Sequence, residues 1–186
     1  MSKRFTFKCL SESDGSWSAF IADWERQCDA FNEEIDQFAA ASIPVLQELA
    51  NAPEQNAQVY SLVDEDNSHH SVVQLNRSML PKTYGWTLRA RHLILSPKYD
   101  FGEYSIDDYA DAIGSTLFET VRVARDVLPS DHIKFHLRSP ADRPFFTILS
   151  STLSGVSLFS DVSIVGAWLS LTLADRASGG RHDEAD

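Results

Sequence analysis

No stretch of the 186-residue chain runs to 18 or more apolar residues, so no membrane-spanning helix is expected. The opening MSKRFTFKCL is basic but lacks the apolar core of a secretory leader. A cytoplasmic protein is the expectation. Cysteine is scarce: Cys9 and Cys28 form no CxxC pair and stand in no Cys/His cluster. Both fall on apolar stripes, which argues for buried reduced thiols rather than a disulfide framework. Cationic residues are few, 16 Lys and Arg against 27 Asp and Glu, and the net charge of −11 disfavours nucleic acid as a partner. The chain has no GxSxG, P-loop or HExxH motif and no internal repeat. His69 and His70 are adjacent in a polar turn, and neighbours on an extended chain point apart, so no metal site is expected.

What is there reads as globular: 43% hydrophobic and 11% aromatic residues, enough for one core. A single domain over residues 1–173 is expected, followed by a polar tail over 174–186. Lys3–Leu10 alternates with Phe5, Phe7 and Cys9 on one face, the mark of a half-buried strand. From Trp17 the step changes to three and four: Trp17, Phe20, Ile21, Trp24, Cys28, Phe31, Ile35 and Phe38 predict one long amphipathic helix. Pro44 restarts the chain in a second, shorter helix. Gln58–Asp64 and Ser71–Asn76 flank the turn Glu65–Ser68 as a hairpin.

Trp86–Leu95 is a long strand with Leu88, Ala90, His92 and Ile94 on one face and Thr87, Arg89 and Arg91 on the other. Ser105–Asp108 has capping-box spacing and opens a helix striped by Ile106, Tyr109, Ile113, Leu117, Val121, Ala124 and Leu128. A strand over His132–Arg138, a helix over Arg143–Leu153 and strands over Val156–Phe159 and Val162–Leu173 complete the chain. Strands clustered mid-chain between helices imply a mixed sheet covered on both faces.

This order, β-α-α-β-β-β-α-β-α-β-β, resembles the GNAT (GCN5-related N-acetyltransferase) fold over nearly the whole chain. Ala110-Asp111-Ala112-Ile113-Gly114-Ser115-x-Leu117 is similar to the family's glycine-rich phosphate-gripping run. Ser96-Pro97-Lys98-Tyr99 is similar to the proline and aromatic that follow its fourth strand, and Ser139, Asp142 and Phe146 occupy the spacings of its Asn, Ala and Tyr after the fifth. The resemblance implies an α/β fold with a mixed, mostly antiparallel sheet of six or seven strands and helices on both faces. It implies acetyl-CoA or another acyl-CoA lying between the fourth and fifth strands, with Leu93, Leu95 and Ser96 along the pantetheine arm. Ile113, Gly114 and Ser115 would meet the phosphates, and Ser139 would be a further cofactor-binding residue.

The residues also depart from that pattern. Ala110 and Ala112 stand where glycines are usual, and Asp107, Asp108 and Asp111 crowd the helix start, where a diphosphate would be repelled. Phe146 replaces the Tyr that protonates the leaving thiolate, and it has no proton to give. No general base is identified: Arg89 and Arg91 cannot serve, and His92 reads as a core histidine. Tyr99 and Tyr104 remain candidate acids. Arg89, Arg91, Lys134, His136 and Arg138 would form one basic patch if their strands are neighbours, able to hold a phosphate, a carboxylate or an acidic segment and to stand in for the missing glycine loop. The competing expectation is internal pairing with acids of helices across that face. Two functions follow: a divergent CoA-dependent N-acyltransferase acting on an amine, or an inactive module of the same fold that binds a small anionic ligand or, through its acidic surface, a basic protein. The oligomeric state is not legible.

Overall fold

The structure, a computed structural model, describes residues 4–81, 83–102, 104–136 and 143–175. Its elements in order are β1 (Thr6–Leu10), α1 (Ser16–Asp29), α2 (Ile35–Phe38), α3 (Ile43–Asn51), β2 (Ala57–Val63), β3 (His69–Met79), β4 (Trp86–Leu95), α4 (Pro97–Asp100), α5 (Ile106–Asp126), β5 (His132–His136), α6 (Arg143–Leu153), β6 (Phe159–Val165) and β7 (Trp168–Leu173). The strands form one seven-stranded sheet in the order β1-β2-β3-β4-β5-β7-β6. Every neighbouring pair is antiparallel except β4 and β5, which are parallel and joined by the α5 crossover. No described helix is long and apolar enough to cross a membrane.

Two cores flank the sheet. On one face Leu88, Ala90, Ile133, Phe135, Leu169 and Leu171 pack with Ile113, Leu117 and Val121 of α5 and Phe146 of α6. On the other, Trp17, Phe20 and Trp24 of α1 and Leu46 of α3 cover Val59, Val72 and Ile94. This second core contains no residue of β5, β6 or β7. Helices therefore lie on both faces, but α1–α3 cover only the β1–β4 half of theirs.

Several local expectations change. The apolar stripe from Trp17 to Phe38 is broken into two helices: Asn32 takes φ 58° and the amides of Phe31 and Glu33 both return to the Cys28 carbonyl, which ends α1. Cys28 is buried, whereas Cys9, on the edge strand β1, is exposed. Ile106, the first residue of α5, is 87% exposed rather than on the stripe, which starts one turn later. The final hairpin turns at Gly166, φ 61°, so its strands are β6 and β7 rather than the shorter and longer pair expected.

His69 and His70 lie in β3, not in the turn, and both are buried. They do point apart. His69 packs on Phe20 and accepts or donates at Ser61 Oγ, 2.7 Å away. His70, on the α5 side, bridges Asp64 and the Tyr99 hydroxyl at 2.8 Å each. Arg138 and Ser139 lie outside the described residues, as does the tail beyond 175.

Candidate functional site

β4 and β5 pair over a short stretch only, from Thr87↔His132 to Ala90↔Phe135. β4 then continues through Arg91–Leu95 with no β5 partner among the described residues. Parallel strands that part company expose backbone N–H and C=O groups along the inner edge of the longer one. Leu93 and Leu95, which the resemblance set along a ligand arm, lie on this stretch, and Leu95 is buried in the main core. The Ser96 amide does not serve, because it donates to the His70 carbonyl at 2.9 Å.

A β-bulge sits at the point of divergence. Val72 pairs with Ile94 and Gln74 with Arg91, so β4 spends two residues, His92 and Leu93, where β3 spends one. His92 takes the extra place with φ 51°, an uncommon conformation for a residue with a Cβ. The added residue reverses the alternation beyond it. Leu88 and Ala90 face α5, but Ile94 joins the opposite core. The sequence pattern put Leu88, Ala90, His92 and Ile94 on one face; the bulge corrects that reading.

It also moves His92 out of the core. The half-buried imidazole lines a cleft of about 230 Å³ together with Ser42, Arg91, Leu93, His136 and Trp168. Its Nδ1 is 3.4 Å from Ser42 Oγ. When Nδ1–H donates to that hydroxyl, Nε2 keeps its lone pair free to take a proton. Burial, then the charges of Arg91 and His136, hold the His92 pKa below the ordinary imidazole value. The ring is therefore neutral, and basic, near neutral pH. His136 makes an edge-on contact with Trp168 at 4.8 Å between ring centres. Ser42 and Trp168 carried no functional signal in the sequence; each reaches the cleft only through the packing of α3 and the β5–β7 pairing.

The sequence-predicted patch is largely assembled. Arg89 lies directly beside Lys134 in the register, and Arg91 and His136 follow on the same face. The expected internal pairing is absent: the ion pairs among the described residues are Arg26–Asp23, His70–Asp64 and Arg122–Glu119. Glu48 and Glu54 stand across a groove of about 440 Å³ from Arg89 and Arg91 without bonding to them. Burial and then the charge of Arg91 lower the Arg89 pKa. One expectation is corrected. The patch is on the face opposite α5, so the sheet separates it from the start of that helix, and it cannot replace a phosphate loop there.

The start of α5 does not fit a diphosphate. Ser105 Oγ accepts the Asp108 amide at 3.2 Å and Asp108 Oδ2 accepts the Ser105 amide at 2.9 Å, a complete capping box. The cap takes the Asp108 amide that would help cradle an anion, and Asp107, Asp108 and Asp111 add like charge. Ile113, Gly114 and Ser115, expected to meet phosphates, lie two turns inside the helix. Their amides belong to its interior ladder and Ile113 is core. Tyr99 and Tyr104 stack at 4.3 Å beside this end, and burial holds the Tyr99 phenol far above its usual pKa. Phe146 is buried in the main core.

No protein-family model matches the chain, and no curated protein matches it in sequence. Solved structures do. A probable acetyltransferase from Staphylococcus epidermidis ATCC 12228 superposes with TM-score 0.51 at 10% identity, covering 90% of this chain and 97% of that one. An integron cassette protein from the mobile metagenome of Vibrio cholerae gives 0.50 at 10% identity, over 89% and 92%. A GNAT-family acetyltransferase from Staphylococcus aureus Mu50 gives 0.46 at 12% identity, over 92% and 100%.

Proposed function

Taking as premise that the chain has the GNAT acetyltransferase fold, we propose that it transfers an acyl group to an amine in the cleft between β4 and β5. The observation that carries this reading is the bulge at the point where the strands part. It sets a neutral imidazole, His92, beside an open backbone edge. An amine is protonated at neutral pH and must lose a proton to become a nucleophile. His92 Nε2 takes that proton, and Ser42 holds the ring by Nδ1. The unpaired edge of β4 offers hydrogen bonds to a peptide-like donor arm through the Arg91–Leu95 backbone.

CoA, the donor the fold implies, fits in part. The open edge suits its amide-containing arm, whereas the capped, acidic start of α5 does not suit its diphosphate.

The test is acyl transfer from acetyl-CoA to a panel of primary amines, followed by mass of the N-acetyl product. Turnover is expected with the native chain, and His92→Gln should reduce kcat by about 10²–10⁴-fold, the usual worth of a positioned base. Equal turnover in native protein and variant would refute the role of His92. One observation favours a second reading, in which the cleft binds a small anionic ligand, or the acidic surface a basic protein, without chemistry: the same capping box and carboxylates at α5. Calorimetry separates the two. Micromolar acetyl-CoA binding supports transfer, and no binding at millimolar concentration supports the silent module.

A further inference from the structure

The sheet face that α1–α3 cover only in part carries a continuous polar row, from their edge at β3 and β4 out to β6. The register places Asn76 beside Arg89, Arg89 beside Lys134, Lys134 beside Ser170 and Ser170 beside Ser163, across five strands. The next row is Ser78, Thr87, His132 and Thr172. A sheet face without a helix over it normally carries exposed polar groups that water satisfies. Here several are shielded from water and still unpaired: Arg89 Nε, Ser170 Oγ, Thr87 Oγ1 and Ser78 Oγ are buried with no hydrogen-bond partner. Such orphans are uncommon, because a buried polar group without a partner loses its hydration and gains nothing in return.

The same floor holds cations that form no ion pair with a carboxylate of the described residues. Arg89 spends one amine on Asn76 Oδ1, and neither it, Arg91 nor Lys134 forms an ion pair among the described residues. In a chain of net charge −11, acids are plentiful, yet those lining the groove, Glu48 of α3 and Glu54 just after it, form no ion pair with the arginines. Arg91 lines both this groove and the His92 cleft, which makes them neighbours. Together they have room for a small molecule.

We infer that the amine acceptor bears an anionic group, a carboxylate or a phosphate, seated on Arg89, Arg91 and Lys134 while its amine reaches His92. This rests on the acyl-transfer reading for the amine, though not for the anion seat. Guanidinium and ammonium donors match the oxygens of either group. A polycationic amine would meet like charge on the same floor and be rejected.

The experiment compares acyl transfer from acetyl-CoA to amino acids against their carboxamides, and to O-phosphoethanolamine against ethanolamine. The two arms tell a carboxylate seat from a phosphate seat. At least one anionic member should exceed its neutral partner about tenfold or more in kcat/KM, the effect of a charge-assisted bond. Arg91→Gln and Lys134→Gln should collapse that ratio towards unity, and Lys134→Arg should retain it. In parallel, binding of the same anionic amines without acetyl-CoA is followed by amide NMR shifts around Arg89 and Lys134. Transfer that favours neutral or polycationic amines, or a ratio indifferent to Lys134→Gln, overturns the inference and leaves acyl transfer standing. Absence of transfer with Lys134-dependent binding of the anion overturns acyl transfer and leaves the anion seat standing. Neither transfer nor binding overturns both.

Discussion

Acidification from about pH 7 to about pH 5 should cost this fold about 2 kcal/mol through His69 alone. The ring is 4% exposed, packed edge-on against Phe20 and bonded through Nδ1 to Ser61 Oγ. Burial drives its pKa from 6.5 down to about 4; the charges of Lys8 and His70 push the same way, and Asp23 and Asp64 oppose them. Once unfolded, the imidazole regains its ordinary value. Between the two values the unfolded chain binds a proton that the native one excludes. The stability His69 contributes is therefore complete above the unfolded pKa and drains away as pH falls towards the folded one. A gap of this size is worth about 3 kcal/mol in full at about 1.4 kcal/mol per pKa unit, of which roughly two-thirds is lost by pH 5. The Asp64 carboxyl, held low by His70 and by the Ser68 and Asp66 amides against its own burial, acts at a lower pH and does not confuse the window. Urea denaturation of the native protein and His69→Gln across this range checks it. The variant should start less stable but lose about 2 kcal/mol less on acidification. Parallel curves would show that His69 is hydrated or paired enough to titrate normally, and the reasoning would fail.

Three further outcomes are expected. In the acyl-transfer assay, kcat/KM should fall on acidification only below the usual imidazole range, because the lowered His92 pKa keeps its base form at mildly acid pH; a half-point above 6.5 would remove His92 as the titrating base. Glu119→Ala should cost about 2–3 kcal/mol, roughly 4–10 °C in Tm, since its carboxylate accepts the buried Phe7 amide at 3.0 Å and ties the edge strand β1 to α5; Glu119→Gln, which keeps an acceptor, should recover most of that in a melting experiment. Two glycines should answer to alanine with opposite signs: Gly114→Ala, inside α5 with open space at its Cβ, should stabilise by about 0.5–1 kcal/mol, whereas Gly85→Ala, at φ 87° and pressed on the Asp131 side chain, should destabilise by about 1–3 kcal/mol, both read by denaturation.

What was legible in the residues was whatever depends on nearest neighbours. Alternation in Phe5–Phe7 and Trp86–Ala90, the three-four spacing from Tyr109 to Leu128, the Ser105–Asp108 cap and the Pro44 restart are local and appear where expected. Parity along two strands was enough to put Arg89 and Lys134 on a common face, because β4 and β5 are indeed paired there. The acids at the start of α5 were equally plain, since the helix start is itself a local feature.

Only the tertiary structure decided the site. A bulge is one inserted residue with no composition of its own, so nothing in Arg91-His92-Leu93 announces that His92 leaves the core and that Ile94 changes face. Ser42 and Trp168 come to the same cleft from the N-cap of α3 and from β7, 126 positions apart, through sheet order and helix packing. Local preference set each element's period and its ends, but the divergence of β4 from β5, and the unpaired polar floor beside it, arise from long-range pairing that no single segment encodes.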